Sequence, residues 1–148
     1  MTQREALEKM AKYCAYQERC QFEVRQKLFG TGFSEEETNN IICDLIEQNF
    51  INEERFAKTF TRGKFRQKKW GRLKIKQHLK QKQISEYCIN KGLQEITTKE
   101  YHEKLELVIS KKSSNLIEEN EFIKKQKVAK YALSRGFESN LIWEILGD

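Results

Sequence analysis

Three apolar positions return along this chain at a nearly constant interval. Val24, Leu28 and Phe33 are matched by Ile75, Leu79 and Ile84 at an offset of 51 residues, and by Val128, Ala132 and Phe137 after a further 53. Nine residues beyond the last member of each set comes another apolar residue: Ile42, Leu93 and Leu146. Self-similarity at a fixed period marks a tandem array of supersecondary units. Within each period the apolar residues are spaced by three and four, proline is absent and glycine is scarce, so the repeating unit is helical. The expected fold is all-α, with three tandem three-helix repeats at 1–51, 52–96 and 97–148 forming an elongated, curved array. Each unit is too small to be stable alone, so neighbours are expected to share apolar surface as in short helical solenoids.

Local signals place the helices. The first is expected over Thr2 to Ala15, with Ala6, Leu7, Met10, Ala11 and Cys14 on one face. The second runs from about Gln21 to Phe29, stopped by Gly30 or Gly32, with Cys20 at an N-cap place where Ser, Thr, Asp or Asn caps better. Ser34 and Glu37 have capping-box spacing ahead of a third helix to about Gln48, striped by Ile41, Ile42, Leu45 and Ile46. Asn52 caps a fourth helix carrying Phe56, Ala57 and Phe60 inward. KKWG breaks it before a fifth, Arg72 to Lys82, with Ile75 and Leu79 inward. Ser85 opens a sixth. Thr97 and Glu100 repeat the capping box ahead of Tyr101, Leu105, Val108 and Ile109, and SKKSSNLIEENE lengthens the next connection.

Charge is segregated as sharply as hydropathy is periodic. Arg55 to Ser85 holds twelve Lys or Arg and no Asp or Glu, while the other 117 residues carry a net charge of minus six. Acids that alternate with Lys on an ordinary solvated helix face through i,i+4 pairs are missing. On a 3.6-residue turn Arg55, Lys58, Arg62 and Arg66 fall within about 80° of arc, as do Arg72, Lys76 and Lys80. Two such stripes make a cationic ledge, to which Lys64, Lys68 and Lys69 add charge. A ledge of this kind docks on phosphates without specifying sequence, or on an acidic protein surface. Phe65 is read as packing between helices, whereas Trp70 is equally placed to pack or to stack on a base.

No catalytic constellation can be assembled. His78 and His102, the two histidines, have no Cys or His at ligand spacing, no glycine-rich phosphate loop is present, and Glu35, Glu36 and Glu37 are explained by the helix dipole. Neither enzyme activity nor a metal or cofactor is expected. Cys14, Cys20, Cys43 and Cys88 form no CxxC pair and are expected as buried thiols. No apolar run reaches the length of a bilayer span and the start, MTQREALEKMAKY, lacks a signal-peptide core; a soluble, cytoplasmic monomer is expected.

The run NEERFAKTFTRGKFRQKKWGRLKIKQHLKQKQIS resembles the signature of the RecX regulatory proteins, bacterial modulators of the RecA recombinase. EVRQKLFGTGFSEEETNNIICDLIEQNFI is similar to the first-unit segment of that family, and KQKVAKYALSRGFESNLIWEIL to its closing segment. The matching signature positions are Glu54, Arg55, Phe56, Ala57, Arg62, Gly71, Ile75, Lys76, Gln77, Leu79 and Lys80. Asn52 replaces a frequent Asp, Cys20 a Ser or Thr, Arg72 a common Pro and His78 a usual Glu, while Lys111 to Glu121 has no strong counterpart. The resemblance implies a protein that lies in the groove of a RecA filament on single- or double-stranded DNA. There it inhibits recombinase and co-protease activity by blocking extension or promoting disassembly. The alternative is a sequence-tolerant DNA-binding protein with no RecA partner. RecA or DNA contacts are expected from Arg55, Lys58, Arg62, Lys64, Arg66 and Lys68, continuing through Lys69, Trp70, Arg72, Lys76 and Lys80; within the signature itself Arg62, Lys76 and Lys80 lead.

Overall fold

The computed structural model describes residues 1–147, and among them every regular element is an α-helix. In chain order these are α1 (Gln3–Tyr16), α2 (Gln21–Leu28), α3 (Glu35–Glu47), α4 (Glu53–Lys68), α5 (Arg72–Gln81), α6 (Glu86–Leu93), α7 (Thr98–Asn115), α8 (Glu121–Ser134) and α9 (Ser139–Leu146). They fall into three successive sets of three, as the repeat requires. The caps expected at Ser34, Asn52 and Thr97 are in place, and Thr2, read as the first helical residue, is a further cap. Thr2, Ser34 and Thr97 accept from the backbone N–H three residues on, and Glu37 and Glu100 return the bond to complete capping boxes. Asn52 caps α4 through the Arg55 N–H at 2.9 Å. At α2, where Cys20 is a poor cap, Glu23 accepts the Cys20 N–H at 3.2 Å and covers the orphan donor from the other side.

The helices form two compact units. The first comprises Met1–Thr59 and Leu79–Gly92. Its core joins Ala6, Met10 and Cys14 of α1, Val24 and Leu28 of α2, Ile41, Ile42 and Leu45 of α3, and Ile51, with Leu7, Ala11, Tyr13, Phe33 and Phe50 packed around it. Phe56, Ala57, Leu79, Ile84 and Ile89 of this unit are buried as well. Ile46, expected on the inner stripe of α3, is exposed, and so is Cys43. Cys88 is partly covered, so only Cys14 and Cys20 are buried thiols, and the expectation for all four is corrected. Cys43 follows the buried Ile42 by one residue, and 100° carries it off the inner face.

The second unit comprises Phe60–His78 and the chain from Leu93 onward. Here α7, α8 and α9 pack on one another around Leu105, Val128, Ala132 and Ile142. Three rings extend that core: Phe65 stacks on Tyr101 at 5.9 Å between centroids and Tyr101 meets Phe137 at 5.3 Å. Phe65 is thus a packing residue. The lengthened connection of the third repeat is largely helical, because α7 continues to Asn115 and leaves only residues 116–120 between helices.

In this second unit the KKWG break is anchored by backbone. Lys69 ends α4 in the left-handed region at φ 56°, Gly71 N–H donates to the Arg135 carbonyl at 2.7 Å, and Leu73 N–H donates to the Gly136 carbonyl at 3.0 Å. These are donors at the start of α5 that have no partner within the helix. The end of α8 satisfies them.

Candidate functional site

The acid-free block of the sequence is not free of acids in the fold. On the first unit, Arg55 pairs with Glu18 at 2.7 Å and also donates to the Asn49 side chain and carbonyl, and Lys58 pairs with Glu54 at 3.1 Å. Lys82 pairs with Glu23 at 3.1 Å. On the second unit, Arg62 pairs with Glu95, and Arg72 pairs with Glu138 at 2.9 Å while its guanidinium lies 3.8 Å from the centre of the Tyr101 ring. Arg55, Lys58, Arg62 and Arg72 therefore hold intramolecular carboxylates, and those of Arg55, Arg62 and Arg72 come from distant parts of the sequence. Arg66, Lys68 and Lys80 remain exposed. Lys64, Lys69 and Lys76 are half-buried.

Arg72 belongs to a linked set. The Tyr101 hydroxyl donates to one oxygen of Glu138 and accepts from the Arg72 backbone N–H at 3.0 Å, while the other Glu138 oxygen takes the Arg72 guanidinium. Burial and the hydrogen bond to Glu138 push the Tyr101 hydroxyl well above the ordinary phenol range. This cluster fixes the start of α5 and thereby the direction in which its basic residues leave the backbone.

Trp70, for which packing and base stacking were both open, is packed on one side and flanked by charge. Its ring meets Phe60 edge-on at 6.4 Å and His78 at 4.4 Å, with the ammonium groups of Lys64 and Lys74 at 4.9 and 4.8 Å from the ring centre. Cation–π contact holds those two lysines in place. Phe60, expected fully inward, is half-buried because it serves this ring.

Sequence reasoning missed a second set of cations on the same unit. Lys69 meets Lys111, Lys112 and Arg135 around a cavity of about 220 Å³. The repeat aligns apolar positions, and nothing in it pairs Lys69 with residues of α7 and α8. Among the described residues no group of three or more His, Cys, Asp or Glu side chains is arranged to hold a metal ion. None of the described helices is long and apolar enough to cross a membrane.

Comparison with known proteins accounts for the three helical sets. Residues 6–45, 52–93 and 99–146 match the first, second and third three-helix domains of RecX. The chain is 31% identical over 134 residues to the regulatory protein RecX of Haemophilus influenzae, covering 90% of this chain and 87% of that one. It is 35% identical over 124 residues to the regulatory protein RecX of Pasteurella multocida, covering 83% and 74%. Among solved structures, a crystal structure of regulatory protein RecX superposes with a TM-score of 0.88 at 27% identity over 97% of this chain and 72% of that one. RecX from Lactobacillus salivarius gives 0.86 at 25% identity over 97% and 94%. With all three helical domains present in order and relatives matched along most of their length, this chain belongs to the RecX family of regulatory proteins.

Proposed function

We propose that this protein regulates RecA by binding the RecA filament on single- or double-stranded DNA, acting as a non-catalytic, cytoplasmic monomer in DNA recombination, repair and the SOS response. The repeats at 1–51, 52–96 and 97–148 act as its three units, with the middle one as the contact element. It lies in the filament groove and inhibits recombinase and co-protease activity by blocking extension or promoting disassembly. The observation that carries this reading is the coincidence, in one stretch, of family signature and charge: Arg55 to Ser85 lies in the RecX-type second domain and holds twelve basic residues without an acid. Arg55, Arg62 and Arg72 are paired with carboxylates from other parts of the chain and Lys58 with Glu54 within α4, while Arg66, Lys68 and Lys80 are exposed and carry the outward charge. Such residues fit phosphates, or the carboxylates of an acidic protein surface.

Purified protein is expected to slow RecA-driven strand exchange and DNA-dependent ATP hydrolysis at substoichiometric ratios, with filaments shortened under the electron microscope. Intact filaments and unchanged rates at every ratio would falsify the proposal. Retention of RecA in a pull-down after nuclease treatment separates a protein contact from bridging by DNA, and complete loss favours simple DNA binding.

A further inference from the structure

The cavity beside the end of α4 is built from charges that repel one another. Its walls are Lys69, Lys111, Lys112 and Arg135 with Val108, Asn115 and Tyr131, and no carboxylate is among them. Arg62 and Arg72 of the same unit meet carboxylates from other parts of the chain, Glu95 and Glu138. Here the basic residues meet each other. Lys69 and Lys111 approach closely enough that the second ammonium, followed by desolvation and then Lys104 and Arg135, holds the Lys69 ammonium below its ordinary range. Lys69 also sits at φ 56°, in the left-handed backbone that follows α4 as it follows α3 at Asn49 and α5 at Gln83, so its place against Lys111 is set by the helix end.

The other walls are held in position. Lys112 lies over the Tyr131 ring at 4.6 Å, and Arg135 donates one guanidinium N–H to the Lys68 carbonyl. Arginine carries five such donors, so most remain available to an acceptor. Proximity to the ends of α7 and α8 gives Lys112 and Arg135 a favourable dipole interaction. That interaction explains each of them singly. It does not offset the repulsion between Lys69, on a different element, and Lys111.

We infer that the pocket lined by Lys69, Lys111, Lys112 and Arg135 is a phosphate-binding site, in which one phosphoryl oxyanion bridges cations from α7, α8 and the α4–α5 turn. The inference does not rest on the RecA reading, since only Lys69 belongs to the basic block. The phosphoryl group can come from a nucleic-acid backbone or from a small phosphate compound, and the two sources are separable.

The test uses the full chain, a Lys69→Gln, Lys111→Gln double variant, and a Lys9→Gln, Lys12→Gln control with the same charge change on α1. Melting temperature is followed against sodium pyrophosphate at constant ionic strength. Wild type and control are expected to rise with ligand concentration by mass action and the double variant to stay flat. In chloride alone the double variant is expected to melt no lower than wild type, because the repulsion is gone. A labelled oligodeoxythymidylate supplies the second arm. If the double variant also lowers the slope of log affinity against log salt by about one per lost contact, the pocket takes a backbone phosphate. If only the pyrophosphate response is lost, it takes a small phosphate compound. A double variant that responds to pyrophosphate as wild type does overturns the site.

Discussion

Gly71 and Gly136 meet backbone to backbone, 65 positions apart in sequence. A Cβ on Gly71 would collide with the Gly136 carbonyl and the Phe137 amide nitrogen, and a Cβ on Gly136, itself at φ 97°, would collide with Lys74. The contact lets the start of α5 donate its N–H groups to the end of α8, so Arg72 and Lys74 are positioned by the turn that follows α8.

Replacing Gly71 by Ala is therefore expected to cost about 1 to 3 kcal/mol or more, the range for overpacking against a neighbour that cannot retreat. Gly63, inside α4 with nothing within 4 Å of its missing Cβ, is the contrast. Gly63→Ala is expected to stabilise by roughly 0.5 to 1 kcal/mol through helix propensity. Urea midpoints for the two variants should move in opposite directions.

Glu138 serves two buried or half-buried partners at once. Glu138→Ala leaves the Tyr101 hydroxyl, on a residue 1% exposed, without its acceptor and Arg72 without its carboxylate. A loss of roughly 1.5 to 3 kcal/mol is expected, as for hydrogen bonds to a charged group. The exposed pair Arg4 and Glu8 offers a control, and Glu8→Ala is expected to change stability by no more than about 0.5 kcal/mol. Equilibrium unfolding of both variants checks the ranking.

Alkaline pH should unfold the protein earlier than its surface charges imply. Burial pushes the Cys14 thiol from 9.0 to about 11 and the Cys20 thiol to about 12, and raises Tyr101 further. Each group is kept protonated by the fold and ionises first in the unfolded chain. Their stabilisation is complete below the unfolded values and is lost as pH climbs from about 9 toward the folded values. Stability measured from pH 8 to 11 should fall, and the slope should flatten between pH 9 and 11 in a Cys14→Ala, Cys20→Ala variant.

Leu79 is fully buried in the first unit and stands at a repeat position. Leu79→Ala is expected to lower stability by about 2 to 5 kcal/mol, read from chemical unfolding.

Helices and caps were legible because they are local. Spacing of three and four located α1 to α6 and the start of α7, the repeat implied two more helices, and Ser34, Asn52 and Thr97 marked starts with side chains that have one obvious use there. The charge of Arg55 to Ser85 was legible as composition. Its partners were not, because Glu18, Glu95 and Glu138 reach Arg55, Arg62 and Arg72 through tertiary contacts whose register a single sequence does not encode. Trp70 illustrates the same limit: its ring is placed by Phe60 and His78, and only their positions distinguish packing from stacking. The Lys69 pocket lay beyond reach for the stronger reason that like charges are not expected to converge.

Exposed charge on the basic block is the core of the functional proposal, and one comparison tests it most directly. Arg66, Lys68 and Lys80 are changed together to Ala, and Lys9, Lys12 and Lys130, also exposed, are changed to Ala as a charge-matched control. Inhibition of RecA-driven strand exchange is then titrated for both, with helical content checked by circular dichroism. The account predicts that the block variant keeps its helices and loses inhibition while the control inhibits like wild type. Full inhibition by a well-folded block variant would contradict it.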